Sequence, residues 1–240
     1  MTGTVLVNDK IVERKTIVYR TLVDPTVVKI AGEKFKSKLF VRFGFLKPKP
    51  EEIQFVSIDK YYEPYILISA KYTIDYYRTC AYTIDVEEKV REVILLNQKL
   101  TPEETKDSSP RGFKVIKLDG EENLLYEDKA SLILDKYGRE VPLEQLPSAP
   151  SEENPEKMLA ELGEKAKKLQ IALDADVDTI RSRIVKRPKD IERIVHELFE
   201  VDERTLIYTP IYVVLFRNVK TGEEKTTEFD GVTSKKIQQK

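Results

Sequence analysis

The fold is decided by Tyr65–Val86, YILISAKYTIDYYRTCAYTIDV, where nearly every even-numbered residue is apolar and most odd-numbered residues are polar. Side chains of a strand alternate between the two faces of a sheet, so this pattern predicts one buried and one solvated face. A run of 22 residues exceeds the usual strand length. We therefore expect either a hairpin that turns near 76–79 or one long bent strand with a bulge. The tetrapeptide Tyr-Thr-Ile-Asp, which occurs at 72–75 and at 82–85, favours the hairpin.

Further strands are predicted wherever Val, Ile, Thr, Tyr or Phe cluster between turn residues. These segments lie at 4–7, 15–23, 34–45, 90–96, 113–118, 205–217 and 225–229. Residues 124–134 fit either a short helix or a strand. Lys220-Thr221-Gly222-Glu223 is typical of a turn and predicts that the last two strands form a hairpin.

Three helices are predicted in the C-terminal part of the chain. The first has Asn154 as its N-cap and Pro155 at its first position, and its apolar spacing continues to Leu169. Apolar residues at helical spacing predict a second helix over 177–185 and a third over 188–199.

A proline-rich stretch separates the strand-rich and helix-rich parts. Four prolines fall among Ser, Glu and Asn between Val141 and Glu156, a composition typical of a semi-rigid linker. We predict a β-rich domain at 1–141, a Pro-rich linker at 142–154, and a domain with helices and a β-hairpin at 155–240. The expected fold class is α+β with an antiparallel sheet.

Two segments of the chain share a short pattern. Tyr62-Glu63-Pro64 and Tyr208-Thr209-Pro210 each precede an apolar run. One interpretation is a duplicated β module on either side of the linker. The other is that Tyr-x-Pro is a common way to begin a strand, because proline at the first residue removes no ladder hydrogen bond.

The C-terminal residues resemble the hairpin of PepSY-like and cystatin-like α+β modules. The resemblance rests on Tyr212-x-Val214-x-Phe216, on Thr221-Gly222, and on Phe229-Asp230-Gly231-x-Thr233. It covers about 25 of the 240 residues and fails at Ser234, where such hairpins commonly have Gly. It implies a helix over 188–200 packed on an antiparallel sheet and a binding or inhibitory role. It identifies no catalytic residues.

The residue inventory excludes several kinds of site. One Cys (Cys80) and one His (His196) cannot form an internal disulfide or the usual shells of a structural zinc. The nine glycines are at least eight residues apart, which excludes a phosphate-cradling loop. Cys80 with His196 remains the one nucleophilic pair available, and packing or surface roles explain both residues more simply. We expect a non-enzymatic protein without a cofactor, and a carboxylate-based enzyme stays open.

The composition also suggests where the protein works. Heavy use of Lys and Glu, with one Cys and two Met, resembles that of archaeal hyperthermophile proteins. The first residues have no basic flank and no apolar run of signal-peptide length, and no stretch has the roughly 20 apolar residues of a membrane span. We expect a soluble, cytoplasmic protein with no membrane partner.

Positive charge is concentrated near the N-terminus. The whole chain has 41 basic and 42 acidic residues, yet residues 1–50 have 11 basic and 4 acidic ones. Lysines and phenylalanines alternate over 34–45, a combination that nucleic-acid-binding proteins use for phosphates and unpaired bases. The simpler interpretation is a strand with Phe in the core and Lys in solvent. The candidate residues are Lys34, Lys36, Lys38, Arg42, Lys47 and Lys49.

A second basic cluster follows the predicted second helix. Its candidate members are Arg181, Arg183, Lys186 and Arg187, with Lys189 beside them. Lys235, Lys236 and Lys240 add charge at the C-terminus. Together these residues predict an RNA- or ribosome-associated factor whose partner is RNA or a ribonucleoprotein. No nucleotide cofactor is expected.

The alternative function is a protein-interaction or assembly module. It would use exposed strand edges and a tyrosine-rich face to form a homo-oligomer or to dock on a larger complex. Its candidate residues are Tyr61, Tyr62, Tyr65 and Tyr77, since Tyr supplies a large and rigid contact area. The same residues are also ordinary sheet formers. Asp174, Asp176 and Asp178 have the alternation of a calcium loop but lack its later Gly and Glu, so Asp176 or Asp178 is better explained as a helix cap. No metal site is predicted.

Overall fold

The structure is a computed structural model and describes residues 8–41, 48–104 and 113–237. The described strands are β1 (Asn8–Ile11), β2 (Lys15–Val18), β3 (Ile53–Glu87), β4 (Val93–Leu95), β5 (Gln98–Leu100), β6 (Glu103–Glu104), β7 (Phe113–Leu134), β8 (Glu140–Val141), β9 (Arg193–Asn218) and β10 (Glu224–Asp230). The described helices are α1 (Pro25–Leu39), α2 (Pro155–Leu162) and α3 (Ala175–Ile184), with 3-10 turns at Pro50–Glu52, Leu143–Gln145 and Gly163–Lys165. Strand predominates, and the helices beside it make this an α+β protein as predicted.

The long strands β3, β7 and β9 pair in one sheet with the short strands β1 and β6, in the order β1, β9, β3, β7, β6. β2 and β10 also pair with β9, and β8 pairs with β7. β10 runs antiparallel to β9 with Glu224 opposite Arg217, whereas β2 runs parallel to it with Lys15 opposite Thr205. β4 and β5 form a separate two-stranded hairpin. The expected antiparallel pairing is therefore present, with a parallel pair beside it.

β3 is one continuous strand that contains the whole of Tyr65–Val86. Its even-numbered side chains from Ile66 to Tyr76 are buried and the odd-numbered ones between them are partly exposed, which confirms the predicted alternation over this stretch. Farther along the strand, Tyr82 and Ile84 are exposed and Cys80 and Val86 are only partly buried, so the buried face predicted there is wrong. The predicted hairpin with a turn near 76–79 is wrong, because the strand runs through these residues to Glu87. The other alternative, one long strand, is the one observed. The two Tyr-Thr-Ile-Asp copies are ten residues apart. An even offset gives both copies the same facing in a single strand, so the repeat needed no turn.

Contacts divide the chain into two compact units, neither of which is a continuous piece of sequence. Of the described residues, unit 1 comprises 8–10, 71–104, 113–128 and 185–199. Unit 2 comprises 11–41, 48–70, 129–184 and 200–237. β3, β7 and β9 each run through both units. The predicted domain division at 142–154 stays a prediction.

Each unit has its own buried side chains. Those of unit 1 include Tyr72, Ile74, Tyr76, Ile116 and Phe199. A core cluster of unit 2 contains Val28, Phe40, Ile53, Tyr212, Val214, Phe216 and Phe229. Fully burying a side chain of this size stabilises by about 1.5–3 kcal/mol. The cluster therefore fixes α1 firmly against β9 and β10.

α1 replaces the strand predicted over 34–45. Asp24 caps the helix by accepting a hydrogen bond from the Thr26 amide (2.8 Å), and Pro25 occupies the first position. Val28 is buried, and Phe35 and Leu39 pack against the same core. Their helical spacing was overlooked because Phe35 and Leu39 lie within the stretch 34–45, where Lys and Phe alternate. Residues 42–45, the last part of the predicted strand, lie outside the described residues.

β9 replaces the helix predicted over 188–199. The strand begins at Arg193, and Glu197, Phe199 and Val201 are buried at every second position. The apolar residues alone suggested a helix, because one of the buried positions of this strand is occupied by a polar residue, Glu197. The helix over 188–200 that the PepSY-like resemblance implied is therefore not formed.

The remaining predictions divide into confirmed and corrected ones. α3 and the 220–223 turn before β10 are confirmed, while α2 ends at Leu162 rather than Leu169. β7 continues past 118 through 124–134, so the helix alternative there is wrong. The strand predicted over 15–23 stops at Val18, and that over 90–96 shortens to β4. Pro64 and Pro210 lie inside β3 and β9 rather than at their first residues. The segment 4–7 lies outside the described residues.

Candidate nucleic-acid interface

α1 has exposed lysines on both flanks of its buried face, with Lys34 and Lys38 on one flank and Lys29, nine residues before Lys38, on the other. Lys29, Lys34 and Lys38 are exposed, whereas Lys36 is partly buried. Lys34 and Lys38 are one helical turn apart, so they share a face. Lysine near the C-terminal end of a helix is also favoured by the helix dipole.

These lysines lie over phenylalanine rings. Lys29 Nζ is 4.5 Å from the centre of the Phe55 ring, and Lys38 Nζ is 5.7 Å from that of Phe35. Lys236 Nζ lies 5.3 Å from the same Phe35 ring. Cation–π contacts of this kind hold an ammonium group in place without neutralising its charge. Phe35 therefore brings a lysine of the C-terminal segment to α1.

The phenylalanines themselves belong to the protein interior. Phe40 is buried, Phe35 lies 6.4 Å from Phe229, and Phe55 lies 6.2 Å from Phe216, ring centre to ring centre. Such packed rings do not offer a free face to an unpaired base. The structure thus supports the simpler interpretation for Phe35 and Phe40 and leaves the lysines as the exposed part of the pattern.

Four lysines of this region keep an unneutralised charge. Lys29, Lys34, Lys38 and Lys236 form no ion pair with any residue that the structure describes. Lys36 instead pairs with Glu33 (2.7 Å) and donates to the Ile53 carbonyl (3.0 Å). We refer to Lys34, Lys38 and Lys236 as the lysine surface, since Lys29 lies on the other flank of α1. Sequence analysis noticed Lys236 only as part of a charged tail.

A cavity of about 590 Å³ lies beside the lysine surface. Phe35, Leu39, Thr227 and Lys236 are among its walls. Thr227 is buried, and its Oγ1 has no hydrogen-bond partner in the described part of the chain. The cavity gives the lysine surface a concave neighbour of ordinary ligand-pocket size.

The other predicted residues of the first basic cluster add less. Lys49 is exposed immediately before the turn at Pro50–Glu52. Arg42 and Lys47 lie outside the described residues. Lys225 of β10 lies over the Phe40 ring at 5.5 Å and pairs with Glu223 at 3.3 Å.

The second basic cluster is divided between the two units. Arg181 and Arg183 belong to α3 in unit 2, whereas Lys186 and Arg187 belong to unit 1. Arg183 Nη1 pairs with Glu140 Oε2 at the surface. Each pair is therefore described with its own unit, and their joint role in binding stays a prediction.

Arg187 is committed to a buried carboxylate. It donates to both oxygens of Glu197, with Nε 2.7 Å from Oε1, and the Glu197 side chain has no exposed surface. These hydrogen bonds raise the pKa of Arg187. The Tyr72 hydroxyl also donates to Glu197 Oε1 (2.7 Å), and burial with this bond raises the pKa of Tyr72. Arg187 thus stabilises unit 1 rather than offering its charge to a ligand.

Two of the predicted interaction tyrosines line a cleft of about 500 Å³ in unit 2. The Tyr61 hydroxyl donates to Glu228 Oε1 at 3.1 Å. Burial, followed by the charge of Glu63, raises the pKa of Tyr65 to about 12. Glu63 Oε1 pairs with Lys136 (2.9 Å), and its buried Oε2 has no hydrogen-bond partner among the described residues. No sequence signal marked Glu63.

The other two tyrosines do not join this cleft. Tyr62 is buried in unit 2, with its hydroxyl 3.2 Å from Thr21 Oγ1. Tyr77 belongs to unit 1, where the Arg193 guanidinium carbon lies 4.0 Å from its ring centre. The tyrosine-rich face is therefore reduced to Tyr61 and Tyr65.

The alternating acids at 174–178 bind an arginine. Arg204 donates to both oxygens of Asp176, at 2.7 and 2.8 Å, and to Asp174 Oδ1 at 3.0 Å. Asp176 is fully buried. Within 8–41, 48–104 and 113–237, no group of three or more His, Cys, Asp or Glu residues is placed to hold a metal ion. Asp174 and Asp176 therefore have a structural role. The predicted cap at Asp176 or Asp178 is wrong, because both residues lie inside the first turn of α3.

Comparisons with known proteins identify no relative: no protein-family model, curated protein or solved structure matches the chain. None of the helices in the described residues is long and apolar enough to span a membrane. Any function must accordingly be inferred from the geometry described above.

Proposed function

We propose that the protein is a non-enzymatic RNA-binding factor that contacts the phosphate backbone through the lysine surface. The observation that carries the proposal is the convergence of Lys38 and Lys236 on the Phe35 ring. It joins two basic segments from distant parts of the sequence into one surface with unneutralised charge. The phosphates of structured RNA supply the matching anion at high density.

The form of the surface favours backbone contacts over base recognition. An ammonium group attracts phosphate as a point charge, and phosphate contacts position a protein without reading sequence. The adjoining rings of Phe35 and Phe55 are packed inside the protein and so are occupied. Binding is expected to be strongly salt-dependent and nearly independent of RNA sequence.

The supporting experiment is a fluorescence-anisotropy titration of an RNA hairpin at about 50 and about 200 mM salt. Three lysine–phosphate contacts predict a slope of about −2 to −3 in a plot of log K against log salt. The variant Lys38→Glu with Lys236→Glu should lose at least about tenfold in affinity at the lower salt. Its melting temperature should stay near that of the parent.

The matched control is Lys157→Glu with Lys168→Glu, which changes the net charge equally at exposed positions. These lysines do not belong to the lysine surface, so affinity should fall by less than about threefold through the general field of the protein. Equal losses in the two double variants, or no binding at low salt, would contradict the proposal.

Several expectations from the sequence accompany this proposal. They are a cytoplasmic site of action, an archaeal hyperthermophile host, an association with ribosomes or another ribonucleoprotein, and a duplicated Tyr-x-Pro module in β3 and β9. The lysine surface supports the ribonucleoprotein partner directly, because any exposed RNA helix offers the same phosphates.

A further inference from the structure

The β4–β5 hairpin ends in a two-residue turn with unusual backbone geometry. Leu96 has φ 51° and Asn97 has φ 61°, and Leu95 pairs with Gln98 across the turn. Turns with two positive φ values favour Asn-Gly. A leucine costs free energy in the left-handed region, because its Cβ approaches the following carbonyl oxygen. The hairpin alone does not explain a leucine at this position.

The side chain at this strained position is almost entirely exposed. Leu96 is 87% exposed and Ile94, on the same short hairpin, is 65% exposed. Neither residue therefore gains stability from burial in its own unit. We refer to Ile94 and Leu96 as the hairpin tip. Strain together with exposed apolar surface indicates a contact made with another molecule.

The surroundings of the hairpin tip are acidic. The segment 85–104 contains six acidic and three basic residues. Lys99 is paired with Glu92 at 3.3 Å, and Glu87, Glu88 and Glu104 are exposed. Negative charge at this density repels RNA and anionic lipid. The surface that receives the hairpin tip must therefore be apolar with a basic rim.

Unit 2 has a surface of this description on α1. Val27 is 48% exposed and Ile30 is 60% exposed, and the two residues are three positions apart on one helix face. Leu22, just before the helix, is 54% exposed. Lys34 of the lysine surface lies one helical turn beyond Ile30 on the same face. We refer to Val27 and Ile30 as the apolar patch.

We propose that the hairpin tip of one copy of the chain docks on the apolar patch of a second copy. The acidic residues around the tip then face Lys34, so charge and apolar surface are both complementary. The two surfaces differ, which makes the contact head to tail and lets assembly grow with concentration. A hairpin tip covers much less than the roughly 1,200 Å² of a stable interface, so the association is weak.

Sedimentation velocity over a concentration series of the full chain tests the proposal. The parent protein should show a rising sedimentation coefficient that falls back at high salt. The variant Leu96→Asn with Asn97→Gly supplies the preferred turn residues, so it should fold at least as well as the parent. Its self-association should weaken by at least about tenfold. Leu143→Asn, a change at another leucine that is 63% exposed, serves as the matched control and should leave association unchanged.

A mixing experiment tests the head-to-tail arrangement. Val27→Ser with Ile30→Ser removes the apolar patch and leaves the hairpin tip, whereas Leu96→Asn with Asn97→Gly does the reverse. Each variant alone should stay monomeric, and an equimolar mixture should form one-to-one dimers. Association of either variant at the parent level, or a mixture that stays monomeric while both variants are folded, would overturn the proposal.

Failure of this proposal can be told apart from failure of RNA binding. The turn variant should bind RNA with parental affinity, because its lysine surface is intact. RNA should also compete with self-association, since both use α1. A parent chain that is monomeric at every concentration but binds RNA overturns self-association alone. Self-association without RNA binding overturns the proposed function alone.

Discussion

The two basic clusters of this chain look alike in sequence and differ in use. In the lysine surface, ammonium groups lie over a phenylalanine ring and remain charged at the protein exterior. In the second cluster, Arg183 and Arg187 donate to carboxylates. This difference in pairing follows from side-chain chemistry. The planar guanidinium of arginine forms bidentate hydrogen bonds with a carboxylate, whereas the ammonium of lysine acts as a point charge. Density of positive charge in a sequence therefore does not measure the charge available to a ligand.

The largest expected effect comes from breaking the second cluster. Arg187→Met leaves the Glu197 carboxylate buried without its cation, which should lower the free energy of unfolding by about 3–5 kcal/mol. Urea denaturation measures the loss. RNA affinity of the folded variant should be unchanged.

The control replaces the whole network with apolar groups. Arg187→Met, Glu197→Met and Tyr72→Phe together leave no buried charge, so most of the lost stability should return. A triple variant as unstable as Arg187→Met would show that the cost is in packing and not in the unpaired carboxylate.

The next effect distinguishes the clusters by RNA binding. Lys34→Gln with Lys38→Gln should reduce the salt slope by about two and the affinity by about tenfold at low salt. Arg183→Gln with Lys186→Gln removes the same charge and should change the slope by less than about one-half. If the second pair lowers the slope as much as the first, the proposed difference between the clusters is wrong.

A smaller effect is expected from the ring that joins α1 to the C-terminal segment. Phe35→Leu keeps an apolar side chain beneath Lys38 and Lys236 but removes two cation–π contacts, worth about 0.5–1 kcal/mol each at exposed sites. RNA affinity should fall about threefold because the ammonium groups are less well held. Phe35→Tyr retains the ring and should bind RNA as the parent does. Equal affinity of all three proteins would contradict a positioning role for Phe35.

The smallest effect concerns the exposed ion pair of the second cluster. Arg183 and Glu140 are each about half exposed, and a pair in that setting contributes roughly 0–1 kcal/mol. Arg183→Gln should therefore shift the urea midpoint very little, in contrast to Arg187→Met. A loss comparable to that of Arg187→Met would mean that burial does not separate the two arginines.

The parts of the fold that local periodicity determines could be predicted. The alternation in Tyr65–Val86 gave the buried face of β3 correctly from Ile66 to Tyr76 but not beyond it, where Tyr82 and Ile84 are exposed. α3 was found from apolar spacing. α1 was missed although Asp24, Pro25 and Thr26 form a good helix start, because the Lys–Phe alternation beyond Lys34 was given more weight. The helix over 188–199 was wrong because the buried ion pair of Glu197 with Arg187 hides the strand period.

The candidate site was predicted in part for a different reason. Exposed lysines near 34–38 were recognisable from sequence, but the contact of Phe35 with Lys236 joins residues far apart in the chain. Patterns in a single sequence contain no information about tertiary contacts between residues so far apart in the chain. The same limit applies to Glu63, whose unpartnered oxygen depends on the packing around it.

The sheet order has a consequence for the chain as it is synthesised. β9 lies between β1 and β3 and also pairs with β2 and β10, yet it begins only at Arg193. At translation rates of about 5–20 residues per second, roughly 5–20 s pass between synthesis of Glu87, the end of β3, and synthesis of Arg193, the start of β9. During that time the open edge of a 35-residue strand is a template for pairing with other nascent chains. Charged residues lie along it, such as Asp59, Lys60 and Asp75, and charge within an apolar strand opposes aggregation.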